Sequence, residues 1–288
     1  MEARAIIRPD GEEDTSGVAV SIPWWSFTKT ALSVALLRLW EEGRIDLDKA
    51  VEGHPFTPAH LLRHEAGLPD YGPLTAYHAA VEAGQQPWPV VSLLKAVEAD
   101  RLRYAPGHGW AYSNVGYWQV SRLIERASDR PLQDALANLV FAPAELSTAR
   151  LATSPEDLVN VAMGNVTDYH PGWVYHGLIV GTAMDAARLL RRLLQGRLLD
   201  SQTLSRMFEP RPLPQFRSAL YPDPAYGMGI MLQASDPLKH PVGHTGSGPG
   251  SEIAVYGQGG ETCAVWAASS TGIDPVAETF RTLKGARS

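Results

Sequence analysis

Ser26 and Lys29, in the run Ser26-Phe27-Thr28-Lys29, stand three residues apart, so on a helix they share one face and a hydroxyl can meet an amine. A serine in the first turn also sits at the positive end of the helix dipole. That position favours negative charge developing on its oxygen, or on an oxyanion beside its backbone N–H. The spacing alone is weak, since a chain of this length carries roughly one such pair by chance. A second copy, Ser92-Leu93-Leu94-Lys95, follows Pro89 in an amphipathic stretch and reads as solvated helix surface. Ser26 differs because it follows a strand and opens a buried helix, where a lysine is costly without partners. The plainer alternative is an N-cap serine beside a structural lysine.

Two further groups could bring polar atoms to the same place. Tyr112-Ser113-Asn114 ends a Gly/Pro loop, Tyr104 to Ala111, that leads into a helix starting near Val115; such loops carry functional side chains, although Ser113 or Asn114 could simply cap the helix. His244-Thr245-Gly246-Ser247 lies in a glycine-rich run, Gly243 to Gly250, at the end of a strand. Its glycines permit close backbone approach of a ligand, or else form a hairpin turn. The run matches neither a Walker loop nor a dinucleotide fingerprint, so phosphate binding is not expected.

In this order the three groups resemble the serine β-lactamase and penicillin-recognising hydrolase family, whose signature is Ser-x-x-Lys, Ser-Asp-Asn and Lys-Thr-Gly. Tyr112-Ser113-Asn114 is similar to the Tyr-x-Asn of class C β-lactamases, DD-peptidases and the related family VIII esterases, and His244-Thr245-Gly246 to a DD-peptidase and D-peptidase branch. The segments His60 to Tyr71 and Gly177 to Asp185 also look like family segments, so the resemblance covers most of residues 20 to 270. It implies Ser26 as the acylated nucleophile, with Lys29 and Tyr112 sharing its proton. Asn114 would hold Lys29 and the substrate. The N–H groups of Ser26 and Ser247 would form an oxyanion hole, with Thr245 and Gly246 beside the substrate. His244 replaces the usual lysine and is expected to hydrogen-bond Tyr112, titrating near its ordinary pKa of about 6.5. Which of Lys29 and Tyr112 takes the proton stays open.

The elements that must position these residues can be read from periodicity. Residues 3 to 7 and 17 to 22 suggest a β-hairpin across Pro9 to Asp14. Ser26 to Gly43 is a helix apolar almost all round, with Ser26, Lys29, Thr30 and Ser33 on one polar stripe. Residues 55 to 170 read as loops and helices, periodic near 57 to 65, 89 to 99, 115 to 127 and 131 to 140. A helix begins at Thr182, where Thr182 and Asp185 form a capping-box pattern, and a short one follows near 201 to 208. Strands are expected at 226 to 232, 241 to 247, 251 to 257 and 262 to 269, then a helix at 274 to 285. The expected fold class is α+β of the β-lactamase/transpeptidase type. In it, one antiparallel sheet is formed by both chain ends and flanked by helices. The whole of 1–288 would be a single domain, with 1–54 and 171–288 as the sheet part and 55–170 as an inserted, mostly helical subdomain.

Composition narrows the function. The 288 residues are 44% apolar and 19% charged with net charge -6 and no dense basic block, which excludes an electrostatic nucleic-acid binder. One cysteine, Cys263, excludes an intramolecular disulfide and cysteine-built metal sites. The first residues lack a secretion signal and no 18-residue apolar run occurs, so a cytoplasmic protein with no membrane partner is expected. His60 and His64 have the spacing of a helical metal pair, but no Glu follows His60, and neither metal nor cofactor is expected. Glu156 and Asn160 imitate the Glu-x-x-x-Asn of class A enzymes but read as helix surface. No Gly-x-Ser-x-Gly occurs, against an α/β-hydrolase. Carboxylate anchors are limited to Lys239 and His244. Trp24, Trp25, Trp110, Trp173, Tyr175 and His176 could build an apolar acyl pocket. The expected function is a serine hydrolase acting through an acyl-enzyme, a carboxylesterase or amidase on a small ester or amide. The alternatives are a β-lactamase or D-Ala-D-Ala carboxypeptidase/D-peptidase, or a non-catalytic ligand-binding relative.

Overall fold

The computed structural model describes residues 1–166 and 168–285. Strands β1 (Glu2–Ile7), β2 (Glu13–Gly17), β3 (Ile22–Pro23), β4 (Arg150–Ala152), β5 (Leu178–Gly181), β6 (Arg211–Pro212), β7 (Pro224–Tyr226), β8 (Met231–Gln233), β9 (Val242–Gly248), β10 (Ser251–Gln258) and β11 (Glu261–Ala268) form two sheets. The large one runs β2-β1-β11-β10-β9-β8-β7-β6, so both chain ends meet at β1 and β11, paired antiparallel from Glu2↔Ala267 to Ile7↔Thr262. The small one, β3-β5-β4, is antiparallel too. The helices are α1 (Thr28–Glu41), α2 (Pro58–Leu62), α3 (Thr75–Glu82), α4 (Val90–Ala96), α5 (Asn114–Ser128), α6 (Leu132–Leu136), α7 (Ala183–Leu194), α8 (Ser201–Met207) and α9 (Pro275–Gly285). Among the described residues no helix is long and apolar enough to cross a membrane.

Every residue of β11 is buried, because the sheet is covered on both faces. Ala264 and Trp266, with Ala3, Ala5, Ile253 and Val255, join the main core, whereas Cys263 and Val265, with Ala254 and Tyr256, pack under Phe280 and Leu283 of α9. Strands covered on both faces lose the in/out alternation of a half-exposed sheet and read as continuous apolar runs. The central helix α1 is buried all round, and its polar stripe finds partners instead of water: Thr30 Oγ1 donates to Gly229 O at 2.7 Å and Ser33 Oγ meets Tyr117 Oη at 3.1 Å. The small sheet fixes the turn ahead of α1. Trp24 N–H donates to Ile179 O at 2.9 Å, and Ile179 N–H donates to Thr28 Oγ1 at 3.2 Å.

Several boundaries differ from those read in the sequence. The second hairpin strand is β2, fully exposed at Glu13–Gly17, and the apolar run at 18 to 22 instead leads out of the large sheet into β3. The single strand expected at 226 to 232 is two, β7 and β8, split by a turn in which Gly227 N–H donates to Ile230 O. The helix expected over 57 to 65 stops at Leu62, because His64 takes a left-handed φ of 59°. Helix α3 has no counterpart in the sequence reading. Thr182 does cap α7 by accepting from Asp185 N–H at 3.2 Å, but the Asp185 carboxylate turns to Thr148, accepting from its N–H and Oγ1 at 2.6 Å each.

At one place the backbones of the sheet and the Ser26 turn touch. A Cβ on Gly246 would lie 2.5 Å from Trp24 O and 2.8 Å from Ser26 N. Gly246→Ala is therefore expected to destabilise the protein by about 1–3 kcal/mol, as overpacking does; an unchanged urea midpoint would contradict this contact.

Candidate active site

Ser26 sits in a short 3-10 turn, Trp25–Phe27, just ahead of α1. Trp25 before it holds a left-handed φ of 45°, a strained conformation for a side chain with a Cβ. Packing over-determines it: the indole Nε1 donates to Ser251 Oγ at 3.1 Å, the ring lies edge-on to Tyr169, and a Cβ on Gly248 would come within 2.5 Å of the ring. The turn presents Ser26 Oγ to a cleft of about 970 Å³.

Lys29 follows one turn later, fully buried. Its Nζ touches three groups: Ser26 Oγ at 3.2 Å, Asn114 Oδ1 at 2.7 Å and His176 Nε2 at 3.3 Å. Burial pulls the amine down to about 7, while Asp70 pulls the other way. The Nζ also lies 4.9 Å from the centre of the Tyr112 ring.

The segment 64 to 70 is the cradle of the Tyr112 loop. His64 Nδ1 accepts from Ser113 N–H at 3.1 Å, Pro69 O from Ser113 Oγ at 2.7 Å, and Asp70 Oδ1 from Asn114 N–H at 2.8 Å. His64 O accepts from Ala111 N–H at 3.1 Å. Ser113 also caps α5, accepting from Gly116 N–H at 2.9 Å, so Asn114 opens a helix whose start is fixed twice. The His64 ring packs 4.3 Å from that of Tyr112. Burial pushes the Tyr112 phenol above its ordinary range, and its polar contact with Ser26 only tempers this.

His244 requires a correction. Its Nδ1 lies 2.5 Å from Thr245 O, a carbonyl that can only accept, so Nδ1 carries the proton and Nε2 accepts from Tyr226 Oη at 3.0 Å. Both ring nitrogens are occupied, and the expected bond to Tyr112 is not there. Burial drives the imidazole down to about 3, so it stays neutral where titration near 6.5 was expected. Thr245 stands opposite Ala254, on the face that meets α9, and its side chain does not reach the cleft. Ser247 and Gly248 do line it, with Ser26, Tyr112, Asn114 and His176.

Of the aromatic residues expected around an acyl group, Trp25 and His176 reach the cleft. Trp24 and Trp173 are core, and Trp110 packs edge-on to Phe216. Tyr175 lies outside the cleft lining, its hydroxyl donating to Trp88 O at 2.9 Å. The aromatic wall comes instead from Tyr71, Tyr77 and Tyr169, which sequence reasoning missed. Glu82 and Asp168 are the charged residues of the rim, and no Lys or Arg is among the described residues lining the cleft. Lys239 lies elsewhere, its carbonyl bonded to Gln258. His60 Nδ1 accepts from Thr57 N–H in a capping box, no cluster of three or more metal-ligating side chains occurs among the described residues, and Glu156 is exposed in a surface turn. Ser92 and Lys95 are exposed on α4.

The Beta-lactamase family model matches residues 21–286, and the chain belongs to that family. It is similar to a penicillin-binding protein of Bacillus subtilis, 26% identical over 259 residues, which cover 78% of this chain and 55% of the relative. It is also similar to a D-aminopeptidase of Brucella ovis, 31% identical over 134 residues, 46% of this chain and 24% of that protein. The chain thus spans about half the length or less of these relatives. Its fold is shared with a D-stereospecific amidohydrolase from Streptomyces sp. (TM-score 0.79, 24% identity, 97% of this chain and 93% of that one). A D-amino acid amidase from Ochrobactrum anthropi SV3 shares it as well (TM-score 0.81, 21% identity, 100% and 94%).

A buried lysine has a stability signature. With a folded pKa of about 7 against an ordinary 10.5, both states hold the proton below pH 7 and the full cost of burying an ammonium is present; as pH rises from 7 to 10.5 the folded state sheds the proton first and the cost lifts. Lys29→Met is expected to stabilise the protein by about 1–4 kcal/mol at pH 6, with a smaller gain at pH 9. Denaturant melts at the two pH values check this, and a gap independent of pH would contradict it.

Proposed function

We propose that the protein is a serine hydrolase working through an acyl-enzyme on Ser26, an amidase or esterase for small substrates without a carboxylate to anchor. The observation that carries this reading is the 3.2 Å contact between Ser26 Oγ and a buried Lys29 amine held near 7, opening on a cleft of about 970 Å³.

Neutral Lys29 takes the Ser26 Oγ proton as the oxygen attacks the substrate carbonyl. The resulting oxyanion is met by the backbone N–H groups of Ser26 and Ser247. On collapse the carbon–leaving-group bond breaks, and the leaving nitrogen or oxygen takes the Tyr112 hydroxyl proton, which Lys29 replaces. A water then attacks the ester in the reverse sense, giving up its proton through Tyr112 to Lys29 and returning one to Ser26. Tyr112 suits the role of a neutral relay, because burial keeps its phenol protonated. Asn114, bonded to Lys29, also faces the cleft and can hold the amide or ester group.

Charge favours amines over acids as substrates. With Glu82 and Asp168 on the rim and no Lys or Arg in the described lining, a substrate carboxylate meets repulsion, whereas a free ammonium meets attraction. The D-aminopeptidase and D-amino acid amidase likenesses support an amine-bearing amide. The likeness to a penicillin-binding protein keeps β-lactam and D-peptide turnover as the second reading.

Intact mass and turnover with D-phenylalanine amide, p-nitrophenyl acetate and a penicillin test this. Ser26→Ala is expected to lose at least about 10³-fold in kcat/KM, and a penicillin turned over faster than both other substrates would overturn the preference. Tyr112→Phe is expected to lower kcat about 10²-fold with little change in KM. Since Lys29 must be unprotonated to act, the wild-type rate is expected to fall as pH drops through about 7. Retention of the full rate at pH 5 would exclude Lys29 as the base.

A further inference from the structure

An amine that serves as base carries two N–H bonds and one lone pair, and Lys29 Nζ has three neighbours. Asn114 Oδ1 can only accept, so it takes one N–H. If the lone pair is to face the Ser26 hydroxyl, the second N–H must be accepted by His176 Nε2, 3.3 Å away. Once Lys29 becomes an ammonium, all three neighbours must accept, and His176 Nε2 can do so only if it carries no hydrogen. One tautomer of His176 therefore fits both halves of the cycle: Nδ1–H with Nε2 bare. The opposite tautomer would cap the lone pair of the amine and face the ammonium hydrogen to hydrogen.

We propose that His176, at the end of the loop before β5, is a positioning residue for Lys29: its bare Nε2 holds the amine so that the lone pair faces Ser26, and its ring keeps cleft water from the amine. The inference rests on the reading of Lys29 as base. His176 is 2% exposed and lines the cleft, so it stands as a plug between solvent and Lys29. Among the described residues, the charged and titratable groups around the pair are Lys29 itself, Asp70, His64, His244, Tyr112 and Tyr117. Burial and the neighbouring Lys29 keep the imidazole neutral. Its Nδ1 is buried without a partner among the described residues. The favoured tautomer leaves that N–H unbonded, a cost the arrangement around Lys29 must offset.

Two measurements test this on the whole chain. Long-range proton–nitrogen NMR of the histidine rings, with His176→Gln locating the His176 signals, is expected to show Nδ1 protonated and Nε2 bare. Finding the proton on Nε2 would overturn the proposal. The second is the pH dependence of Ser26 phosphonylation by a fluorophosphonate in wild type, His176→Ala and His176→Gln, with thermal melts alongside. His176→Ala admits water that solvates the ammonium, so the acid limb is expected to move up by about one pH unit, with labelling about fivefold slower at pH 7. His176→Gln, which keeps an acceptor and most of the volume, should restore rate and limb. An unchanged rate and limb in His176→Ala would sink the role. If wild-type Ser26 takes no label at all, the acyl-serine reading fails, while the tautomer still decides how His176 meets Lys29.

Discussion

A primary amine cannot be buried beside a serine without something to hold it, and much of the structure answers that constraint. Taking Lys29 out of water leaves donors that must be met by fixed acceptors. Asn114 and His176 come from two distant parts of the chain, at the start of α5 and the end of the loop before β5, and both close on the same nitrogen. Helix α1 accordingly has almost no solvent face: it is gripped by α5 on one side, by the small sheet at its start and by β9 through the Ser26 turn. The return for that burial is an amine near 7, which can take a proton near neutral pH, where an exposed lysine cannot.

Two strained residues stand at the same place. Trp25 and His64 hold left-handed backbones although neither is glycine, one immediately before Ser26 and the other under the Tyr112 loop. Each is bonded into position by side chain and backbone: Trp25 through Ser251, and His64 through Ser113, Ala111 and the hydroxyl of Tyr104. Conformations that cost free energy persist when the surroundings leave no alternative. Here they hold Ser26 and Tyr112, both lining one cleft and in polar contact with each other.

What could be read from the sequence was what is encoded locally. Helices α1, α5 and α7 announce themselves by periodicity and caps, and strands β10 and β11 by apolar runs joined by a glycine turn. The hairpin strand was misplaced because β2 is an exposed edge: nothing apolar marks Glu13–Gly17, while the apolar 18 to 22 belongs to the link into β3. The partners of His244 were illegible for a different reason. Tyr226 lies 18 positions away on β7 and reaches the imidazole only across the intervening β8, a contact set by sheet order and not by spacing. His176 was noticed as an aromatic wall residue. Its meeting with Lys29, 147 positions away, required the small sheet to be in place.

The correction at His244 bears on how the proton must move. A phenol becomes a usable base near neutrality only if neighbouring positive charge outweighs its desolvation. His244, had it been a cation beside Tyr112, could have supplied such charge; instead it is neutral, turned to Tyr226 and Thr245, and His64 beneath the Tyr112 ring is held neutral by burial as well. Among the described residues, the one cation left within reach is Lys29, and it sits near its own midpoint at neutral pH. An ammonium there and a phenolate beside it would require Tyr112 to lose a proton that burial holds firmly, while Lys29 keeps one that burial is already loosening. On the proposed mechanism the lower-energy order is the reverse: amine and phenol at rest, ammonium and phenol after attack. In the proposed mechanism, a fold that surrounds its lysine with neutral histidines gives the base role to the lysine and leaves the tyrosine to pass protons on.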